Sequence, residues 1–173
     1  MRRIIIVVSL ITLVFTSCKR ETIYKEVQSD KRLFTIMLPQ YMSSTNTMFP
    51  GIAILQYAND SVPLYTLAFD TSRAGLNETS LEAFYDSTVS QPNMADAKID
   101  KPHFLKIDGD SALMTKLSGT INGEKLVYKI VTIATETHFF YIQVWTRADK
   151  LKDMEPIMDK ILMSFHDENH KKV

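Results

Sequence analysis

Residues 122–146 read NGEKLVYKIVTIATETHFFYIQVWT, and this stretch decides the fold. Asn122-Gly123 is a strong hairpin signal, and the polar residues Glu136-Thr137-His138 separate an apolar run from an aromatic one. The pattern predicts two antiparallel strands at residues 125–135 and 139–146. In the first of them, apolar side chains occupy both alternating sets of positions, which indicates a sheet that is covered on both faces.

Turn-forming residues divide the rest of the chain into further strand-like runs. Asn59-Asp60-Ser61 and Asp108-Gly109-Asp110 each lie between two such runs, as the turns of hairpins do. The additional strands are predicted at residues 33–39, 51–58, 62–69, 97–107 and 111–121.

Two amphipathic segments are predicted to cover the sheet as helices. Thr79 and Glu82 form a T-x-x-E capping box ahead of apolar residues at helical spacing, and this helix is expected to end before Pro92. In the second helix, Asp153 is the expected N-cap and Pro156 lies in the first turn. Its apolar stripe comprises Met154, Ile157, Met158, Ile161, Leu162 and Phe165. The predicted fold class is α+β, an antiparallel sheet with helices on both faces and elements in the order βββ-α-ββββ-α.

Four segments of the chain together resemble the PsbP-like fold family. They are FTIMLP at residues 34–39, DGDSAL at 108–113, HFFYIQVWT at 138–146 and ILMSF at 161–165. This superfamily is named for an extrinsic subunit of photosystem II and includes a Ran-binding nuclear import factor and many bacterial lipoproteins of unassigned function. The resemblance implies an antiparallel sheet between helices that serves mainly as an accessory or binding module, and it supplies no catalytic residue.

The N-terminus has the pattern of an export signal. Arg2 and Arg3 precede an apolar run at residues 4–15, which is too short to span a bilayer because a spanning helix needs about 20 apolar residues. The run ends in Phe-Thr-Ser-Cys at residues 15–18, which resembles a bacterial lipobox, and Cys18 is the only cysteine in the chain. The resemblance implies cleavage before Cys18 and acylation of its sulfur. An ordinary secreted protein with a chance cysteine at this position is the alternative.

The predicted organisation is a lipoprotein signal peptide at residues 1–17, a lipidated tether at 18–31, a single domain at 32–166 and a polar tail at 167–173. A short first strand at the end of the tether is an open alternative. The length without the leader suits one domain rather than two. Lys19 follows the cysteine in place of the Asp associated with inner-membrane retention. The expected location is therefore the outer membrane, on its periplasmic face or at the cell surface.

The charge balance limits the classes of partner. The chain carries 20 basic and 20 acidic residues, so it has no electrostatic footprint for nucleic acid and no polybasic surface for anionic lipid. We expect lipid on Cys18 to hold the membrane. We expect the partner to be an envelope protein or a small ligand.

Catalytic and metal-binding motifs are absent from the sequence, and we expect no enzyme, no cofactor and no metal. The best alternative is a hydrolase in which His103, with Asp108 and Asp110, forms a base or a metal site. A strand-edge histidine beside a solvated turn explains the same residues. His166 and His170 have the i, i+4 spacing of metal ligands if the last helix continues that far, although the segment reads as a polar tail.

Two aromatic-rich segments are candidates for recognition. Residues 139–145 include Phe139, Phe140, Tyr141 and Trp145, and such a strand could offer a stacking platform, but aromatic residues on both faces of a central strand usually belong to the core.

The loop at residues 40–51 is the predicted binding surface, because loops on a rigid scaffold often carry recognition and methionine adapts to irregular partners. Its candidate contact residues are Tyr41, Met42, Met48 and Phe49. The alternative is that Tyr41 and Phe49 only pin the loop onto the edge of the sheet.

Overall fold

The computed structural model describes residues 21–76, 79–89 and 94–169, so the predicted signal peptide and Cys18 lie outside it. Within these ranges, eleven strands form two antiparallel sheets, and two α-helices pack on them. The strands are β1 Tyr24–Gln28, β2 Phe34–Pro39, β3 Ser43–Ser44, β4 Leu55–Asn59, β5 Leu64–Ser72, β6 Ala95–Ile99, β7 His103–Ile107, β8 Asp110–Ile121, β9 Glu124–Ala134, β10 His138–Arg147 and β11 His166–Asp167. The helices are α1 Leu81–Val89 and α2 Leu151–Met163.

The larger sheet has the order β3-β4-β5-β10-β9-β8-β6, and β7 also pairs with β8. Its centre is the predicted antiparallel meander of β8, β9 and β10. Asn122 and Gly123 connect β8 to β9 with positive φ angles of 50° and 82°, as a tight hairpin turn requires. The hairpin predicted from these residues is therefore present.

The two faces of the larger sheet bury two separate apolar clusters. Ile130 of β9 packs with α1, whereas the neighbouring residues Val131 and Ile133 pack with α2. Successive side chains along β9 point to opposite faces of the sheet, so each cluster lies on its own face. The chain is α+β with antiparallel sheets and two helices, as predicted, but strands make up most of it and the element order βββ-α-ββββ-α is not reproduced.

The smaller sheet has the order β1-β2-β11. We expected β2 to belong to one sheet with the other strands, but it does not join the larger sheet. The β1 strand pairs with β2 along its full length, with Val27 opposite Ile36. The Ser29 hydroxyl accepts hydrogen bonds from the backbone N–H groups of Leu33 and Phe34, which closes the turn between the two strands.

The folded part of the chain therefore extends beyond both predicted boundaries. Residues 24–28 lie in the predicted tether but form β1. Asp167 lies in the predicted polar tail, yet it pairs with Phe34 and is 4% exposed. The sequence signal for β1 is weak because Val27 is its only buried residue.

The strand predicted at residues 97–107 is divided into β6 and β7, both of which pair with β8. Pro102 lies in the interruption and has no N–H group to donate to a ladder. The Thr115 hydroxyl donates to the Asp100 carbonyl oxygen at 2.7 Å, which ties the interruption to β8. The strand predicted at 51–58 begins only at Leu55.

Both helices begin at residues other than the predicted ones. The Ser80 hydroxyl, rather than that of Thr79, accepts a hydrogen bond from the Ala83 N–H group and caps α1. The α2 helix continues from a 3-10 turn at Ala148–Lys150, so Asp153 is not its N-cap and Pro156 lies in the second turn.

Candidate functional site

An open groove of about 330 Å³ lies on the face of the larger sheet that carries α1. With nine residues, α1 is about 14 Å long, whereas the eleven residues of β9 extend over about 36 Å. The helix therefore covers less than half of the strand length. The described lining is uncharged and mostly apolar, and it comprises Phe49, Thr88, Val89, Met94, Leu117, Ile121, Tyr128, Ile130, Tyr141, Gln143 and Trp145.

A row of three stacked aromatic rings crosses the sheet at this groove. Trp145 of β10 lies directly opposite Tyr65 of β5 and Tyr128 of β9. Its ring centroid is 5.2 Å from that of Tyr65 and 5.4 Å from that of Tyr128, with interplanar angles of 16° and 20°. Because these rings stack face to face with one another, the Trp145 ring is already covered by Tyr65 and Tyr128. The arrangement does not favour a sugar-stacking platform.

The aromatic strand is divided between the core and the groove. Phe139 and Phe140 are fully buried, as predicted for core residues. Tyr141 and Trp145 are half-buried and line the groove.

The polar groups of the groove floor remain neutral at physiological pH. The Tyr141 hydroxyl donates a hydrogen bond to Oε1 of Gln143 at 2.9 Å. Burial raises the pKa of Tyr141 above its ordinary value of 10.0, and burial also raises the pKa of Tyr128. The amide nitrogen of Gln143 makes no hydrogen bond to a described residue, so it is a donor available to a ligand.

Phe49 is the part of the predicted binding loop that reaches the groove. It is 44% exposed, and its ring packs edge-on against Phe69 with centroids 5.7 Å apart. The side chain of Gln56 makes two hydrogen bonds to the Phe49 backbone, one to its N–H group and one to its carbonyl oxygen, both of 2.9 Å. These bonds fix the position of Phe49 at the rim.

The other predicted loop residues lie elsewhere. Met42 is fully buried in the core, so it has no surface to offer to a partner. Tyr41 and Met48 are half-buried. The loop also contains the short strand β3, which pairs with β4.

The histidine constellation proposed for hydrolysis is not assembled. His103 is the first residue of β7 and Asp108 follows the last, so five residue steps along an extended strand, roughly 16 Å, separate them. Nδ1 of His166, rather than of His103, lies 2.9 Å from Oδ2 of Asp108. Asp110 begins β8 on the other side of the turn.

The second histidine pair also lacks the geometry that we considered. His166 lies in β11 rather than in a continuation of α2, so helical i, i+4 spacing does not apply to it. His170 lies outside the described residues. Among residues 21–76, 79–89 and 94–169, no group of three or more His, Cys, Asp or Glu side chains is placed to hold a metal ion.

The sequence-based prediction missed Tyr128 and Gln143, which line the groove, and Tyr65, which stacks on Trp145. The only signal for them is the even spacing of Tyr141, Gln143 and Trp145, which places the three on one face of β10. The partners of Trp145 on the neighbouring strands depend on strand register, which a single strand does not reveal.

Membrane-spanning helices were sought in the part of the chain that the structure describes. None of its helices is long and apolar enough to cross a membrane.

Sequence comparison identifies no relative of this chain, because no family model and no curated protein matches it. Solved structures do match. The solution structure of PsbP (CyanoP) from the cyanobacterium Synechocystis superposes with a TM-score of 0.57 at 9% identity, over 88% of this chain and 98% of that one. LpqN of Mycobacterium tuberculosis, described as involved in cell envelope biogenesis, gives 0.53 at 13% identity, over 80% and 87%.

A third structure, the protein PA94 of unknown function from Pseudomonas aeruginosa, gives a TM-score of 0.51 at 11% identity, over 82% of this chain and 94% of that one. At these identities the matches establish architecture only. The protein has a PsbP-like fold, which agrees with the resemblance seen in its sequence.

Proposed function

We propose that this protein is a lipid-anchored accessory module of the bacterial cell envelope that binds a partner in the aromatic groove without catalysis. The partner is a small uncharged ligand, or an apolar side chain of an envelope protein. The observation that carries the proposal is the groove beside α1 on the larger sheet, whose described lining is uncharged and rich in aromatic residues.

The envelope location rests on two lines of support. The leader at residues 1–17 and the lipobox-like stretch before Cys18 are typical of an exported, acylated protein. LpqN, which shares the fold, is described as involved in cell envelope biogenesis. The Lys19 residue after the cysteine favours the outer membrane as the site of the anchor.

The binding role rests on the composition of the groove. Ligand sites are concave and mostly apolar, with a few polar groups that fix orientation, and volumes of about 300–1,000 Å³ are typical. At about 330 Å³ the groove is at the small end of this range. The free amide N–H groups of Gln143 match one hydrogen-bond acceptor, such as a carbonyl or ether oxygen, on an otherwise apolar molecule.

The absence of catalysis is proposed from the polar groups of the described lining. The raised pKa of Tyr141 keeps its phenol protonated, so it does not serve as a base near pH 7. The only aliphatic hydroxyl of the described lining belongs to Thr88, and this lining includes no histidine or carboxylate that could activate it.

The test uses Trp145, which is the only tryptophan of the chain and lies in the groove. The neutral dye N-phenyl-1-naphthylamine is titrated into the purified protein, and energy transfer from Trp145 to the dye is recorded. Phe49→Ala should weaken dye binding several-fold. The matched control is Phe104→Ala, because Phe104 is 64% exposed on β7 and does not line the groove. No saturable transfer in the wild type, or equal weakening by both variants, would contradict the proposal.

A further inference from the structure

The folded domain begins very close to the proposed lipid attachment. Only five residue steps separate Cys18 from Ile23, and an extended chain of this length spans at most about 18 Å. The carbonyl oxygen of Ile23 accepts a hydrogen bond of 2.9 Å from the Gln40 N–H group, so Ile23 is already attached to the domain. The connection that we predicted as a tether of 14 residues is therefore short.

The surface at the start of β1 combines apolar, aromatic and basic groups. Ile23 is 66% exposed. At the next residue of the chain, the ammonium group of Lys160 lies 3.9 Å from the centroid of the Tyr24 ring. We refer to Ile23, Tyr24 and Lys160 as the β1 surface.

This composition suits the boundary between lipid and water. Tyrosine rings are enriched at the level of the lipid headgroups because one end of the side chain is apolar and the other is polar. A lysine extends its ammonium group toward the phosphates while its methylene stem lies on apolar surface. Ile23 precedes Tyr24 in the chain, and its exposed side chain can enter the acyl boundary, where burial of apolar area is favourable.

We infer that the β1 surface lies against the headgroup region of the bilayer that holds Cys18. The inference rests on the acylation of Cys18 proposed above. It has a consequence for the groove. The smaller sheet packs in the α2 cluster, whereas the groove lies on the opposite face of the larger sheet. The bilayer therefore leaves the groove free to meet its partner.

The test places a spin label at one of two matched positions in the mature, acylated protein that begins at Cys18. Ile23→Cys puts the label on the β1 surface. Ile52→Cys is the control, because Ile52 is 69% exposed and lies in the loop before β4, beside Gln28 at the far end of β1. Each labelled protein is reconstituted into vesicles of phosphatidylethanolamine with a minority of phosphatidylglycerol.

Collision rates of the label with oxygen, which concentrates in lipid, and with a water-soluble nickel chelate then report its surroundings. The ratio of oxygen to nickel collisions should be several-fold higher at position 23 than at position 52. Equal ratios in a protein that mass spectrometry shows to be acylated would overturn the inference and leave the proposed anchor intact. A chain without acyl groups on Cys18 would overturn both.

Discussion

Replacement of Phe49 by alanine should weaken the fold only modestly. Full burial of a phenylalanine side chain contributes about 1.5–3 kcal/mol, and Phe49 retains 44% of its exposure, so its burial accounts for about half of that range. The edge-on contact with Phe69 adds about 0.5–1.5 kcal/mol. We therefore expect the free energy of unfolding to fall by about 2 kcal/mol.

This loss is compatible with a folded protein. Domains of this size are stable by about 5–15 kcal/mol, so Phe49→Ala should remain native at room temperature. Its melting temperature should fall by about 4–8 °C. Urea unfolding followed by circular dichroism measures the free energy. The control is Phe140→Ala, because Phe140 is fully buried and its removal should cost about 3–5 kcal/mol.

Two results would refute this reasoning. A loss from Phe49→Ala as large as that from Phe140→Ala would make Phe49 a core residue, and weaker dye binding would then reflect unfolding. No loss at all would mean that Phe49 does not pack on Phe69, and the rim of the groove would not be formed as described.

Further predictions concern the anchor, pH, an ion pair and metals. Cys18→Ser should remove the protein from the membrane fraction or leave an uncleaved precursor, and a cleaved variant that still needs detergent would contradict acylation. Burial raises the folded-state pKa of Tyr141 above 10.0, so the stability that this residue contributes is present below pH 10 and is lost as the pH rises further. Tyr141→Phe should reduce this loss, which urea unfolding at several pH values measures. Asp70→Asn should lower the free energy of unfolding by about 1 kcal/mol, because the Asp70 carboxylate is buried but Lys31, its partner at 2.8 Å, is mostly exposed. Lys31→Met should lower it by a similar amount. Chelator and reductant should leave the melting temperature unchanged, and a drop of many degrees with chelator would reveal a structural metal.

Local signals made the centre of the larger sheet predictable. Asn122-Gly123 specifies a tight turn, and the alternation of apolar residues along β9 indicates two buried faces, independently of the rest of the chain. The α1 helix was also predictable from local signals, although its cap is Ser80 rather than the predicted Thr79.

The features that the sequence left open or did not predict depend on pairing between distant parts of the chain. The β1 strand has a single buried residue, Val27, and becomes a strand because β2 is available beside it. The β2 strand pairs with β1 and β11 rather than with a strand of the larger sheet, and the composition of β2 does not predict these partners.

The residues of the candidate site also divide into those with a local sequence signal and those that depend on strand pairing. Phe49 was predicted from the loop that carries it, because aromatic residues beside a polar loop are a local pattern. The row formed by Tyr65, Trp145 and Tyr128 required the register of three strands, in which a shift of one residue would turn each ring to the other face.

The most direct test of the account is whether the groove is occupied in living cells. Photoreactive benzoylphenylalanine is placed at position 49, at the rim, or at position 104, which is exposed but outside the groove. The cells are illuminated and the protein is purified and examined by mass spectrometry. We predict a defined covalent adduct, either an apolar small molecule or an envelope protein, at position 49 and not at position 104. Identical adduct patterns at the two positions, or none at position 49, would contradict the claim that this groove is a binding site.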